Sequence, residues 1–159
     1  MSFDLHFSEN KEAKSKELEN FLKAVSFGES DLIANLANSS AVIKLAYPET
    51  NWVGFYLFKG HELVLGPFQG KPACIRIPVG KGVCGTAAEK LKTQLVPNVH
   101  KFPGHIACDS ASNSEIVVPI MKNSELFGVL DMDSPILEYF TNEDKAILEN
   151  AVKVIENFI

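Results

Sequence analysis

The stretch NWVGFYLFKGHELVL, residues 51–65, is where the character of the chain changes from helical to extended. Trp52, Val53, Phe55, Tyr56, Leu57 and Phe58 are aromatic or β-branched or otherwise apolar, Lys59-Gly60-His61 supplies a turn, and Leu63-Val64-Leu65 resumes the apolar run. That is the signature of a β-hairpin. A second hairpin is predicted downstream, where Glu115 to Met121 and Leu126 to Met132 are apolar runs joined by Lys122-Asn123-Ser124-Glu125. Between them, Cys74-Ile75-Arg76-Ile77-Pro78-Val79 alternates like a third strand and Gln94-Leu95-Val96 reads as a short fourth.

Working outward, residues from about Asn10 to Val25 place Leu18, Phe21, Leu22 and Val25 at helical spacing. A second helix is expected from about Ser30, taken as its N-cap, to the stop at Pro48. Gly80, Gly82 and Gly85 open a short helix running to about Leu91. Thr141 caps a last helix, with Glu143 and Asp144 in its first turn and Ile147, Leu148, Val152, Ile155 and Ile159 on its apolar stripe. Only one strand connection contains a helix. The expected class is therefore α+β, a mainly antiparallel six-stranded sheet with the N- and C-terminal helices packed on one face.

Composition narrows the function. The 159 residues are 46% hydrophobic and 22% charged, so one globular domain over 1–159 is expected, burying roughly 70% of the surface of the unfolded chain. A net charge of −5 without a basic run gives nucleic acid no electrostatic footing. No segment approaches the ~18 apolar residues of a membrane span and no signal peptide is visible, so a cytoplasmic location and no membrane partner are expected. Three cysteines, Cys74, Cys84 and Cys108, suit neither a secreted disulfide framework nor a paired zinc knuckle.

Five constellations bear on chemistry. Gly80, Gly82 and Gly85 spell G-x-G-x-x-G between a strand and a helix, but the next strand ends in Pro97-Asn98 rather than in the acid a dinucleotide ribose needs. Glycines serving a tight turn are the better reading. His100, His105 and Cys108 resemble a zinc set, but the spacing is unconvincing and the fourth ligand would have to be Asp109, Cys84 or a residue the sequence does not identify, so no metal is expected. Cys108 lies in the long polar loop 97–113, where access favours a reactive thiol; Cys84 among glycines at a helix start and Cys74 at a strand start could each resolve it. Glu115 at one strand's start and Asp131 and Asp133 at the next strand's end converge, which points to an ammonium-bearing ligand or an acid catalyst. Trp52 and Tyr56 share a strand face and could line an apolar pocket.

Four segments, NWVGFYL (51–57), LGPFQGKPACIRIPVGKGVCGTAA (65–88), VPNVHKFPGHIACDSASNSEIVVPI (96–120) and GVLDMDS (128–134), resemble the free methionine-(R)-sulfoxide reductases, which are built on a single GAF domain. The resemblance implies that Cys108 is the catalytic thiol, Cys74 the leading candidate to resolve it and Cys84 an alternative. It also implies that Trp52 and Tyr56 hold the substrate's S-methyl end while Glu115, Asp131 and Asp133 handle its polar atoms. No bound cofactor is expected; an external thioredoxin/NADPH system would supply electrons. The rival expectation is a sensory GAF domain, which would need an output segment that these residues are not expected to hold. Oligomeric state, homodimer included, is left open by the sequence.

Overall fold

The sheet is built from the two expected hairpins. The structure, a computed structural model, describes residues 5–159. Strands β1 (Trp52–Lys59) and β2 (Glu62–Gly70) pair through the Lys59↔Glu62 end, and β5 (Ser114–Lys122) and β6 (Glu125–Ser134) pair through Lys122↔Glu125. Asn123 and Ser124 both take positive φ, 51° and 63°, as a two-residue hairpin turn of matching twist requires. Strands β1 and β6 lie side by side and join the hairpins, with β3 (Arg76–Pro78) and β4 (Gln94–Val96) at the edges, in the order β3-β2-β1-β6-β5-β4. Every pairing is antiparallel.

Two local expectations shift. The third strand starts at Arg76 rather than Cys74, because only Arg76 to Pro78 stay in register with β2; Cys74 is left in the preceding loop. The N-cap of α2 (Leu32–Ala46) is Asp31, whose side chain accepts from the Ala34 N–H, while the Glu29 carboxylate accepts from Ser30 and Asp31 N–H at 2.7 and 2.8 Å. A carboxylate caps a helix start at least as well as the serine hydroxyl.

Strand alternation gives the sheet two different faces. Val53, Phe55, Leu57, Ile116, Val118, Ile120, Leu130 and Met132 point to one, where α1 (Lys11–Val25), α2 and α4 (Asn142–Ile155) cover them with Leu18, Leu22, Leu36, Ile43, Leu148 and Val152. Each fully buried side chain of this size contributes roughly 1.5–3 kcal/mol by leaving water, so this face supplies most of the hydrophobic stabilisation. Thr141 and Asp144 form a capping box at the start of α4, and Asp144 also pairs with Lys11 and accepts the Tyr47 hydroxyl at 3.2 Å, tying α1 and α2 to α4. The other face carries only α3 (Gly82–Lys90) over Trp52, Tyr56, Val117 and Val129. Thinner cover there leaves room for a cavity.

Candidate active site

The register of β1, β6 and β5 lays the site out in rows. Trp52 pairs with Asp133 and Asp133 with Glu115, forming one row across three neighbouring strands; Gly54, Asp131 and Val117 form the next. All these side chains share the face under α3, because residues two apart along a strand point the same way. The start of α3 then drops Cys84 onto the acids, with its Sγ 3.9 Å from Glu115 Oε1. Ligand-type atoms of Cys84, Glu115 and Asp131 all lie within 4.8 Å of one another. Glu115 is 5% exposed and Asp131 7%, and Asp131 Oδ1 has no hydrogen-bond partner.

Such a cluster cannot be fully ionised. Burial pushes the Glu115 and Asp131 carboxyls well above the usual carboxylate range, and the neighbouring acids push them further; Asp133, at the rim, moves the same way for the same reasons. Cys84 is likewise pushed up, first by burial and then by Asp131, Glu115 and Asp133. This outweighs the helix-start effect that favoured a thiolate from the sequence, so Cys84 carries its proton at neutral pH. His105 Nε2 stands 3.7 Å from Glu115 Oε2, and burial holds its pKa below the ordinary value.

Above the acids stands an aromatic wall. The Trp52 ring stacks on Tyr56 at 5.7 Å between centroids and on Phe68 at 5.2 Å. Trp52 Nε1 donates to the Lys71 carbonyl at 3.1 Å, and the Tyr56 hydroxyl donates to the Cys74 carbonyl at 2.9 Å. Both rings thereby fix the segment that carries Cys74. Wall and acids line one narrow cavity that opens to solvent.

At the mouth, Cys74 and Cys108 form a disulfide, with Cα atoms 5.6 Å apart and a sequence separation of 34. Both are half-buried, whereas Cys84 is a free, buried thiol. The loop bearing Cys108 is anchored from β1's leading edge: Asn51 Nδ2 donates to Asp109 Oδ2 at 3.0 Å and to Ser112 Oγ at 3.1 Å. The Asp109 carboxylate also accepts from the Ala111 N–H at 2.9 Å.

Thus Trp52, Tyr56, Cys84, Cys108, Glu115, Asp131 and Asp133 line one cavity, and Cys74 is bonded to it through Cys108. His100 stays outside, exposed and paired with Asn113 Oδ1 at 2.8 Å, so the loop triad weighed as a zinc set does not assemble. Gly80 and Gly82 take φ of 83° and 62°, and a Cβ on Gly85 would stand 2.4 Å from the Pro78 carbonyl oxygen; the glycine motif serves a turn and close packing. Sequence reasoning missed Asn51 and Ser112, and considered His105 and Asp109 only as metal ligands. The Asp109-Ser110-Ala111 Asx-turn pattern was the one signal available for the loop's anchor.

Known proteins resemble this chain in sequence and fold. The GAF domain family matches residues 35–159. The chain is 47% identical over 150 residues to the free methionine-R-sulfoxide reductase of Escherichia coli, covering 94% of this chain and 91% of that protein. It is also 47% identical to the free methionine-R-sulfoxide reductase of Saccharomyces cerevisiae, over 92% of this chain and 86% of that protein. Its fold superposes on the X-ray structure of free methionine-R-sulfoxide reductase from Neisseria meningitidis in complex with its substrate, with a TM-score of 0.92, 46% identity and coverage of 98% of this chain and 95% of that one. With this degree of likeness over nearly its whole length, the chain belongs to the GAF domain family and, within it, to the free methionine-R-sulfoxide reductases, a family of oxidoreductases.

Proposed function

We propose that this protein reduces free methionine-(R)-sulfoxide to methionine, with Cys108 as nucleophile, Cys74 as resolving thiol and a thioredoxin-like dithiol, fed by NADPH, as reductant in the cytoplasm. The observation that carries the reading is the Cys74–Cys108 bond at the mouth of a cavity floored by Glu115, Asp131 and Asp133. The Escherichia coli and yeast relatives support the substrate by their names, and the Neisseria meningitidis structure by its title.

The Cys108 thiolate attacks the sulfoxide sulfur while a carboxyl of the floor donates a proton to the oxygen. Buried acids whose pKa values are raised keep such a proton at neutral pH. Collapse releases methionine, its sulfur reduced by two electrons, and leaves sulfenic acid on Cys108. The Cys74 thiolate displaces the hydroxyl, which leaves as water, and the disulfide forms. Thiol–disulfide exchange with the external dithiol then restores both thiols. Cys84, protonated and buried, takes no part in this sequence.

Trp52 and Tyr56 offer an apolar wall for the S-methyl end. The acids not used as proton donors pair with the substrate ammonium, a group absent from methionine inside a polypeptide. A thioredoxin-coupled NADPH assay tests the whole: oxidation of NADPH with the free R epimer, and not with the S epimer or a methionine-sulfoxide peptide, is the expected result. No oxidation with either free epimer would leave a thiol-based sensor as the better reading.

A further inference from the structure

One buried polar group stands without a partner in the cavity floor. Asp131 Oδ1 is sealed from solvent and accepts no hydrogen bond, while its carboxylate faces Cys84 and Glu115. An acceptor oxygen sealed in this way is costly unless something occupies the space before it. The side chains around it form a particular set, one sulfur and two carboxyl groups. Among the described residues, His105 is the only basic side chain in ion-pair contact with these acids, through Glu115 Oε2.

We propose that Cys84, Glu115 and Asp131 form a three-ligand site for a borderline-soft divalent cation of the zinc class, its fourth position open, and that its occupation closes the cavity floor to substrate. Tetrahedral zinc with bonds of about 2.3 Å to sulfur and about 2.0 Å to oxygen spaces its ligand atoms by about 3.5 Å. Ligand atoms of the three residues lie within 4.8 Å of one another, with Cys84 Sγ and Glu115 Oε1 at 3.9 Å, so a modest inward closure brings them to that spacing. Coordination replaces the Cys84 proton and the carboxyl protons, which leave to solvent; no electron moves. The mixed sulfur and oxygen set disfavours Mg²⁺ and Ca²⁺, which take oxygen alone. Cys84, which the reductase sequence leaves idle, thereby acquires a role. The consequence for turnover rests on the reductase reading, whereas the ion site does not.

The Cys74–Cys108 disulfide makes the test clean, because in the oxidised protein Cys84 is the one thiol left to bind metal. Titration of the oxidised protein with Co²⁺ should give one equivalent bound, a near-ultraviolet thiolate-to-cobalt band and the intense visible bands of a tetrahedral site. One equivalent of Zn²⁺ should bleach both. Cys84→Ser should abolish the near-ultraviolet band, and Glu115→Gln, which keeps the side-chain shape, should weaken binding by roughly tenfold or more. Absence of the thiolate band in the parent protein, or its survival in Cys84→Ser, overturns the site. In the coupled assay of the reduced enzyme, chelator-reversible Zn²⁺ should raise the apparent KM for the sulfoxide. An enzyme inactive on the sulfoxide would still show the cobalt spectrum, so the two readings fail separately.

Discussion

Glu115 stands directly opposite Asp133 across the β5–β6 ladder, and both face the cavity that the Cys74–Cys108 disulfide borders. Like charges in that position repel, so the pair and the adjacent Asp131 are stable together only when protons or a cation intervene. This ties the stability of the protein to pH. In the unfolded chain these carboxyls titrate near 4, and in the folded protein all three titrate well higher. Their stabilising contribution is complete below about pH 4 and is lost as pH rises toward the folded values. The substrate-free protein should therefore melt at progressively lower temperature as pH climbs from about 5. Asp109 and Asp144, whose pKa values are lowered, act with the opposite sign, but their contribution is lost only below that window. Asp131→Asn should flatten the slope and raise Tm near pH 8 by about 2–4 °C for each kcal/mol of repulsion relieved. Differential scanning fluorimetry across the range checks it.

Asp133 sits at the rim of the acid row, where a substrate ammonium would first meet a carboxylate. Asp133→Asn keeps the shape and removes the charge. The KM for free methionine-(R)-sulfoxide should rise roughly tenfold or more, since a desolvated charged hydrogen bond is worth about 1.5–3 kcal/mol. Tm should stay level or rise. Unchanged KM in the coupled assay would remove Asp133 from substrate binding.

Tyr56 fixes the backbone of Cys74, the proposed resolving cysteine, through its hydroxyl bond to the Cys74 carbonyl. Tyr56→Phe deletes only that bond, at a cost of about 1 kcal/mol in stability. The segment around Cys74 should then meet Cys108 less often, so the sulfenic acid should live longer after a single turnover. Trapping with dimedone, followed by mass spectrometry, should show more labelled Cys108 than in the parent protein.

Asn51 reaches from the edge of β1 to Asp109 and Ser112, on the far side of Cys108 from His105. Asn51→Ala should free the loop 97–113 without disturbing the sheet. Hydrogen exchange should quicken in that loop alone, and kcat should fall by about tenfold for each 1.4 kcal/mol of lost positioning. Equal loss of protection in the helices would instead mark Asn51 as a general stability residue.

How much of this was legible follows from what local pattern encodes. The aromatic and apolar run Trp52–Phe58 and the turn at Asn123-Ser124 are short-range signals, so the hairpins and the pairing of Glu115 with Asp133 could be read directly: in a hairpin the start of one strand must lie beside the end of the next. The partners of Cys108 could not. Cys74 and Cys84 lie 34 and 24 residues away, and which one the loop meets depends on Tyr56 and Asn51 holding two irregular segments together. Extended loop and short edge strand also share one alternating pattern, which is why Cys74 was read into β3. Desolvation was equally hidden, since the helix-start position of Cys84 says nothing of the acids beneath it.

Gly54 is the position where backbone geometry and substrate pocket meet. It pairs with Asp131 across the β1–β6 ladder, and a Cβ there would stand 2.3 Å from Phe68 Cβ and 2.6 Å from Trp52 Cη2. The glycine thus lets the Trp52 ring lie down over the sheet and stack on Phe68 and Tyr56. Its φ is not in the left-handed region, so the cost of alanine is a clash rather than backbone strain. Gly54→Ala should push the indole off the wall, break its bond to the Lys71 carbonyl and destabilise the protein by about 1–3 kcal/mol. Because Trp52 forms the proposed methyl-binding wall, the KM for the sulfoxide should rise. Tryptophan fluorescence reports the ring directly: Trp52 is the single tryptophan of the chain, and its emission should shift to the red in the variant as the indole meets water.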